Sequence, residues 1–285
     1  MFESSQRLEH LGCLRVAGAD RVSFLQGQLS SDVASLGGGR AGLSSLNNRQ
    51  GRAFMTTLAV ADGDAIVLVM PVGQIDDALA RLKMYVLRAK VELDAPGGDL
   101  PLAAVWGNPP VSLPQEDWAA ARAGDALAVR LPGTLGRWLL LGAEGAQPDD
   151  GRWRFEDVGA ALPQVYPATR EVFLPQALNL DALGGISFDK GCYVGQEVIA
   201  RLHFRGSVKR RMRLFTTPGD GVPATPGAPV LRAGETVGKV VDAAVWAGDG
   251  ALLAVCGITV PDDGLALEDG TPLAARPLPY SLPED

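Results

Sequence analysis

Short apolar runs bounded by Gly, Pro, Asn and Asp turn signals recur along this chain and read as strands, with a few stretches at helical spacing between them. Leu11–Val16 predicts a strand. Gly18-Ala19-Asp20 then offers a helix cap, with Val22, Leu25 and Leu29 at helical spacing up to the glycine run Gly37-Gly38-Gly39. Ala41–Leu46 reads as a strand and Asn47-Asn48-Arg49-Gln50-Gly51 as a turn. Arg52–Ala61 and Ala65–Met70 read as strands joined by Asp62-Gly63-Asp64, a hairpin cue. Ile75, Leu79, Leu82 and Val86 predict a helix, and Lys90–Leu93 closes this unit as a strand.

Past the Pro/Gly-rich connection Asp94–Leu100, strands are expected near Leu102–Trp106, Ala126–Leu131 and Arg137–Leu141, with a helix at Gln115–Ala123. The similar layout of the two units hints at duplication. After the polar turn Gln147–Gly151, the pattern becomes irregular from Trp153 to Arg205. Trp153-Arg154-Phe155-Glu156-Asp157 reads as a strand with one wet face. Short strand candidates follow at Val208–Thr217, Ala228–Leu231, Thr236–Val241, Ala251–Val260 and Leu273–Arg276, separated by Gly/Pro/Asp turns. That rhythm suits a small barrel or sandwich. The expected organisation is an α+β fold: a first unit over 1–93, a second over 94–205 (part of which could complete the first), and a β-barrel over 206–285.

The chain has 285 residues, 47% of them hydrophobic, enough to bury its cores without disulfide or metal staples. Cys13, Cys192 and Cys256 lie far apart and form no Cys-x-x-Cys pair. A disulfide framework, a structural zinc site or a cluster held wholly by this chain is therefore not expected, and a reduced, cytoplasmic setting fits. The N-terminus carries no apolar stretch of the signal-peptide kind, and Ala65–Met70 is too short to span a bilayer. Only His10 and His203 are present, which leaves a hydrolase triad or a histidine metal site short of parts. No phosphate-binding loop or dinucleotide fingerprint occurs.

The candidate chemistry lies in Lys190-Gly191-Cys192-Tyr193-Val194-Gly195-Gln196-Glu197. Two glycines leave the thiol accessible, an extended backbone would put Lys190 on its face to favour the thiolate, and a helix expected from Gln196 would direct partial positive charge towards it. The plainer alternative is a small hydrophobe in a loop. Cys13 and Cys256 sit in apolar strand patterns and read as core. Lys190, Arg201, Arg205, Lys209, Arg210, Arg211 and Arg213 are opposed between 190 and 213 only by Glu197, in a chain of net charge −7. They suit an anion site, contact with RNA, or a solvated hairpin. A carboxylate such as Glu156 could hold the amidine-like edge of a flat heterocycle, or could be ordinary edge-strand charge.

The octapeptide around Cys192 resembles the signature of the YgfZ-type folate-binding proteins, relatives of the glycine-cleavage T-protein. Gly18–Val33, Gln50-Gly51-Arg52 and Phe173-Leu174-Pro175-Gln176 are similar to that family too, so the resemblance spans most of the chain. It implies a ring of two α+β units plus a C-terminal β-barrel, with tetrahydrofolate or a derivative in the central hole. It also implies a role in assembly or repair of iron–sulfur clusters in client enzymes, tRNA-modifying ones included, with RNA met indirectly and no membrane. Cys192, facing the cavity, would be the functional thiol and Lys190 its activator. Glu156, Arg154, Gln176, Tyr193 and Arg201 would contact folate, Glu156 at the position of the T-protein's pterin-holding carboxylate. One departure separates the branches. Met55 and Thr56 stand about where the T-protein carries an acidic pair, and neither can act as a carboxylate base. The resemblance thus implies folate binding without glycine cleavage. An aminomethyltransferase and an RNA-binding module using Arg201–Arg213 are the competing expectations.

Overall fold

The computed structural model describes residues 5–107, 113–133, 136–218 and 224–283. Residues 1–4, part of the N-terminus read above, lie outside the described residues. The expected α+β class holds: three antiparallel sheets carry the chain, with four α-helices among the described residues. These are α1 (Arg21–Gln26), α2 (Ile75–Lys83), α3 (Arg152–Gly159) and α4 (Gln196–Arg205).

The first sheet runs in the order Ala41–Asn47, Ala53–Asp62, Ala65–Pro71, Leu11–Ala17, Glu92–Asp94. The hairpin cue was sound, since Asp62 pairs with Ala65 around Gly63 at φ +60°. Phe24 and Leu25 from α1, and Ile75, Ala78 and Leu82 from α2, cover one face. Asp20 does stand at the N-cap of α1, but its carboxylate accepts the Lys90 N–H (2.7 Å) rather than capping the helix.

The second sheet runs Gln6–Arg7, Leu102–Trp106, Arg137–Leu141, Ala126–Leu131, Ala120–Ala123. Its alternation is clean: Leu127, Val129 and Leu131 join Leu11, Val67 and Val69 of the first sheet in a shared core, while Ala128 faces the other way with Trp138. Two expectations fail in this region. Gln115–Ala123 is not a helix. Its backbone groups are taken by other segments, with Ala41 N–H donating to Trp118 O (2.7 Å) and Ala120 N–H to Gly39 O (2.7 Å), and Ala120–Ala123 becomes a strand. Trp118 itself sits at φ +66°, which a helix cannot contain. The two units therefore differ in layout, which removes the hint of duplication.

Trp153–Asp157 is not a strand but lies in α3. Asp149 and Asp150 accept the N–H groups of Gly151 and Arg152, and Gly151 at φ +83° turns the chain into the helix. Trp153, Asp157 and Val158 then share its buried face at i, i+4 and i+5.

The third sheet runs Leu265–Ala266, Pro229–Arg232, Glu235–Trp246, Asp249–Gly257, Arg210–Pro218, Ala274–Arg276. Both faces are buried: Phe215, Val240, Leu252 and Cys256 fill one core, and Met212, Val241, Leu253 and Val255 pack with the 160–199 segment in another. A bulge between Val240 and Asp242 re-aims Asp242 inward, where it is fully buried. Among the described residues no helix is long and apolar enough to cross a membrane.

Candidate functional site

The segment 185–195 is pinned along its length to residues 27–31. Ser30 Oγ donates to Gly185 O (2.5 Å), Ser187 N–H to Ser30 O (2.9 Å) and Val194 N–H to Gly27 O (3.4 Å). Gly195, at φ +83°, heads α4 as expected and packs on the Asn48–Gly51 turn. A Cβ there would lie 2.5 Å from Asn48 O, so no other residue fits. Between these anchors Gly191 has open space around it and Cys192 is exposed. Cys13 and Cys256 are buried, as read, and burial pushes the Cys13 thiol up to about 12.

Lys190 does not serve Cys192. Its Nζ donates to Gln26 O (2.8 Å), Leu29 O (2.6 Å) and Ser31 O (2.8 Å), and it lies 4.7 Å from the centre of the Tyr193 ring. An ammonium group has three N–H donors, and all three are spent on carbonyls. Burial lowers Lys190 to about 8, which leaves it mostly protonated at neutral pH. The expectation of a free cation beside the thiol is corrected. Lys190 is the knot that ties the thiol loop to the end of α1. Lys190→Met should lower stability by about 2 kcal/mol, because buried carbonyls lose a charged donor. Limited proteolysis should cut first between 185 and 195 in that variant. A proteolysis pattern and urea midpoint like those of the unsubstituted chain would refute the tie.

Cavities meet around Trp118. The largest, about 630 Å³, is walled by the Trp118, Phe155 and Tyr280 rings and by Glu156, Gly159 and Leu183. A second, about 350 Å³, shares Trp118 and Leu183 and extends to Asp32, Arg40, Phe188 and Asp189. A third, about 50 Å³, reaches inward from Trp118 to Thr56, Asp157 and Gln164. Tyr280 arrives from the tail after the last strand, its hydroxyl donating to Ala161 O (3.0 Å) and accepting from Asn179 Nδ2 (3.3 Å). Cys192 lines none of these three cavities, contrary to the expected cavity-facing thiol; Asp189 is as near as its loop comes.

Of the remaining predicted contacts, Glu156 does line the large cavity, with Arg152 3.7 Å away. Arg154 does not accompany it. Its guanidinium holds Asp242, with Nε to Oδ1 at 2.9 Å, and Tyr166 donates its hydroxyl to the same carboxylate (2.8 Å). This pair ties α3 to the third sheet, so Arg154 is a structural residue. Gln176 is buried and donates to Ile199 O (2.8 Å), and Tyr193 is buried beneath Lys190. Arg201 is exposed on α4. The seven-residue basic cluster divides: Arg211 pairs with Asp181 (2.7 Å), Arg213 with Asp262 (2.8 Å), and Lys190 is caged. Arg201, Arg205, Lys209 and Arg210 stay exposed.

Met55 and Thr56 are both buried, and Thr56 Oγ1 accepts the Val165 N–H (2.9 Å). The carboxylate beside Thr56 in the small cavity is Asp157, held by Arg137 Nη1 at 2.8 Å. Burial nevertheless raises its carboxyl above the usual carboxylate range. Sequence reasoning passed over Trp118, Tyr280 and Arg137, and gave Asp157 no role beyond its place in the Trp153–Asp157 segment. Only the positive-φ backbone of Trp118 marks it as unusual, and that is invisible in sequence.

No family model matches the chain. The tRNA-modifying protein YgfZ of Yersinia pseudotuberculosis is 30% identical over 98% of this chain and 92% of its own length. The protein of the same name from Escherichia coli O157:H7 is 30% identical over 94% and 90%. Among solved structures, the glycine cleavage system aminomethyltransferase T from Bartonella henselae covers 96% of this chain and 85% of its own, with a TM-score of 0.64 and 16% identity. The fold is thus that of the aminomethyltransferase, and the near full-length similarity places the chain in the YgfZ family.

Proposed function

We propose that this chain binds a reduced folate in the cavity around Trp118 and acts as an accessory factor for assembly or repair of iron–sulfur clusters in client enzymes, tRNA-modifying ones among them. The observation that carries the reading is the wall of that cavity: three aromatic rings, Trp118, Phe155 and Tyr280, around about 630 Å³, with the Glu156 carboxylate beside them. That volume and that mixture of flat apolar faces and one acid suit a heteroaromatic ligand with a hydrogen-bonding edge. Glu156 would accept from the pterin's amino edge and the rings would sandwich its plane. The name carried by the curated relatives supports the tRNA-modification part, and the resemblance to the YgfZ-type proteins supports the iron–sulfur part.

Cys192 is the functional thiol in this reading. It is exposed on a clamped loop, and a thiolate can ligate iron, or take the outer sulfur of a donor persulfide as the donor's own thiolate leaves. Among the described residues no group of three metal-ligating side chains occurs, so further ligands to a cluster would come from the client. The one-carbon transferase is the weaker reading, because Met55 and Thr56 offer no carboxylate.

Calorimetric titration with tetrahydrofolate should give saturable binding; heats equal to buffer at millimolar ligand would end the folate part. Cys192→Ala should keep the fold and the folate affinity, yet fail to restore an iron–sulfur tRNA-modifying enzyme in cells lacking the native gene. Full restoration would remove Cys192 from the function.

A further inference from the structure

Beside the thiol loop, three aromatic rings gather at the surface. Phe188 and His203 stack face to face, with centroids 3.8 Å apart and planes 10° apart. Phe204 stands edge-on to both, at 6.0 Å from Phe188 and 4.7 Å from His203. Phe188 is half-buried and His203 exposed, so the histidine is the outer ring of the column. Phe204 is 68% exposed, which is unusual for a phenylalanine with a core available to it. Helix geometry explains the arrangement. Ile199 anchors α4 in the core, which turns Phe204 and Arg201 outward and leaves His203 at the border, over Phe188.

The charge around these rings is as distinctive. Arg201 and Arg205 share the helix with His203 and Phe204, and Lys209 and Arg210 follow within five residues of its end. All four are exposed, and none has an ion-pair partner among the described residues, whereas Arg211 and Arg213 of the same run are neutralised by Asp181 and Asp262. Glu197 and Asp189 are the acids nearest in sequence. In a chain of net charge −7, two such cations on the helix that carries His203 and Phe204 and two more just past its end are a local inversion of the overall charge.

We infer that this surface is a binding platform for single-stranded RNA. Sequence-tolerant single-strand binding needs two things, cations that follow the phosphates and flat rings on which unpaired bases stack. Both are present on α4 and the residues flanking it. An apolar protein contact would use the rings but does not require four unneutralised cations. Duplexes hide their base faces, and in cells unpaired bases are presented mainly by RNA loops and ends. Phe188 also lines the second cavity near Trp118, but Phe204, His203, Arg201 and Arg205 line none of the three cavities, so variants at Phe204, Arg201 and Arg205 test this inference independently of folate binding.

The test is fluorescence anisotropy of the full chain with a labelled oligouridylate of roughly 12 nucleotides, within the usual site size. Saturable binding that weakens with salt is expected. Phe204→Ala should weaken it about fivefold or more without changing the salt slope, as loss of one stacked base does. The double variant Arg201→Gln, Arg205→Gln should reduce the slope by about 1.4, the loss of two phosphate contacts on a single strand. Phe204→Leu keeps the bulk and loses the flat face. It should behave like Phe204→Ala in binding and like the unsubstituted chain in thermal melting, which covers any folding defect of the alanine variant. No saturation at low salt, or equal affinity for Phe204→Ala, would overturn the platform. Equal binding of a blunt duplex would reduce it to phosphate attraction and overturn the stacking. Displacement of the RNA by polyglutamate equally from the unsubstituted chain and Phe204→Ala would overturn it in favour of an acidic protein partner.

Discussion

Arg137→Met should cost about 3–5 kcal/mol of stability, the usual penalty for leaving a buried charge without its partner. Arg137 is fully buried, lies over the Trp153 ring at 4.9 Å, and holds Asp157 at 2.8 Å beneath the small cavity. Methionine fills much of the volume but cannot answer the carboxylate. Asp157 already has its carboxyl raised by burial, and without Arg137 it would rise further. A raised carboxyl contributes stability that is complete below its unfolded pKa and is lost as pH climbs through the folded one. The deficit of the variant relative to the unsubstituted chain should therefore shrink as pH falls from neutral towards the acid range. Urea unfolding at neutral and mildly acidic pH measures both effects. Adding Asp157→Leu should recover most of the loss, since removing both partners of a buried pair is far cheaper than removing one. A pH-independent deficit would mean that the cost is packing alone.

Trp118→Ala should weaken tetrahydrofolate binding about tenfold or more, equivalent to about 1.4 kcal/mol. Trp118 is the one residue that walls all three cavities. Alanine keeps the cost of the φ +66° backbone and removes only the ring, so the comparison isolates the ring's contribution. Tyr280→Phe is the companion variant. It retains the ring and loses the bonds to Ala161 and Asn179, so it should lower stability by about 1 kcal/mol and leave affinity nearly unchanged. Calorimetry on the two variants separates wall from anchor. Unchanged affinity in Trp118→Ala would move the folate site away from this cavity.

The strands were legible because their evidence is local. The short apolar runs Ala126–Leu131 and Arg137–Leu141 are of strand length and buried on both faces, and the Asp62-Gly63-Asp64 turn states where the chain reverses. The two misreadings share a cause. Glu116–Ala121 has helix-forming composition, but its backbone groups pair with Gly39, Ala41 and Arg130, partners remote in sequence. Trp153–Asp157 fits a period of two as well as a helical face, and the deciding features are the capping turn at Asp149–Gly151 and the core that receives Trp153 and Val158. In the site, the octapeptide marked the exposed thiol and the start of α4. The partner of Lys190 was misjudged because three carbonyls from residues 26–31 compete for its ammonium, and they are about 160 positions away.

Sequence alone determined the α+β class, the exposed cysteine among two buried ones, the absence of a carboxylate at Met55 and Thr56, and the membership suggested by Lys190–Glu197. Each of these is a matter of residue identity or short-range spacing. Only the tertiary structure decided that Lys190 braces the loop, that Arg154 serves Asp242, that the thiol lines none of the three cavities around Trp118, and that Trp118 and Tyr280 stand in the wall of the large one. These are contacts between segments far apart in the chain. They depend on which face each element presents and which polar groups burial obliges to pair, and no local pattern encodes that.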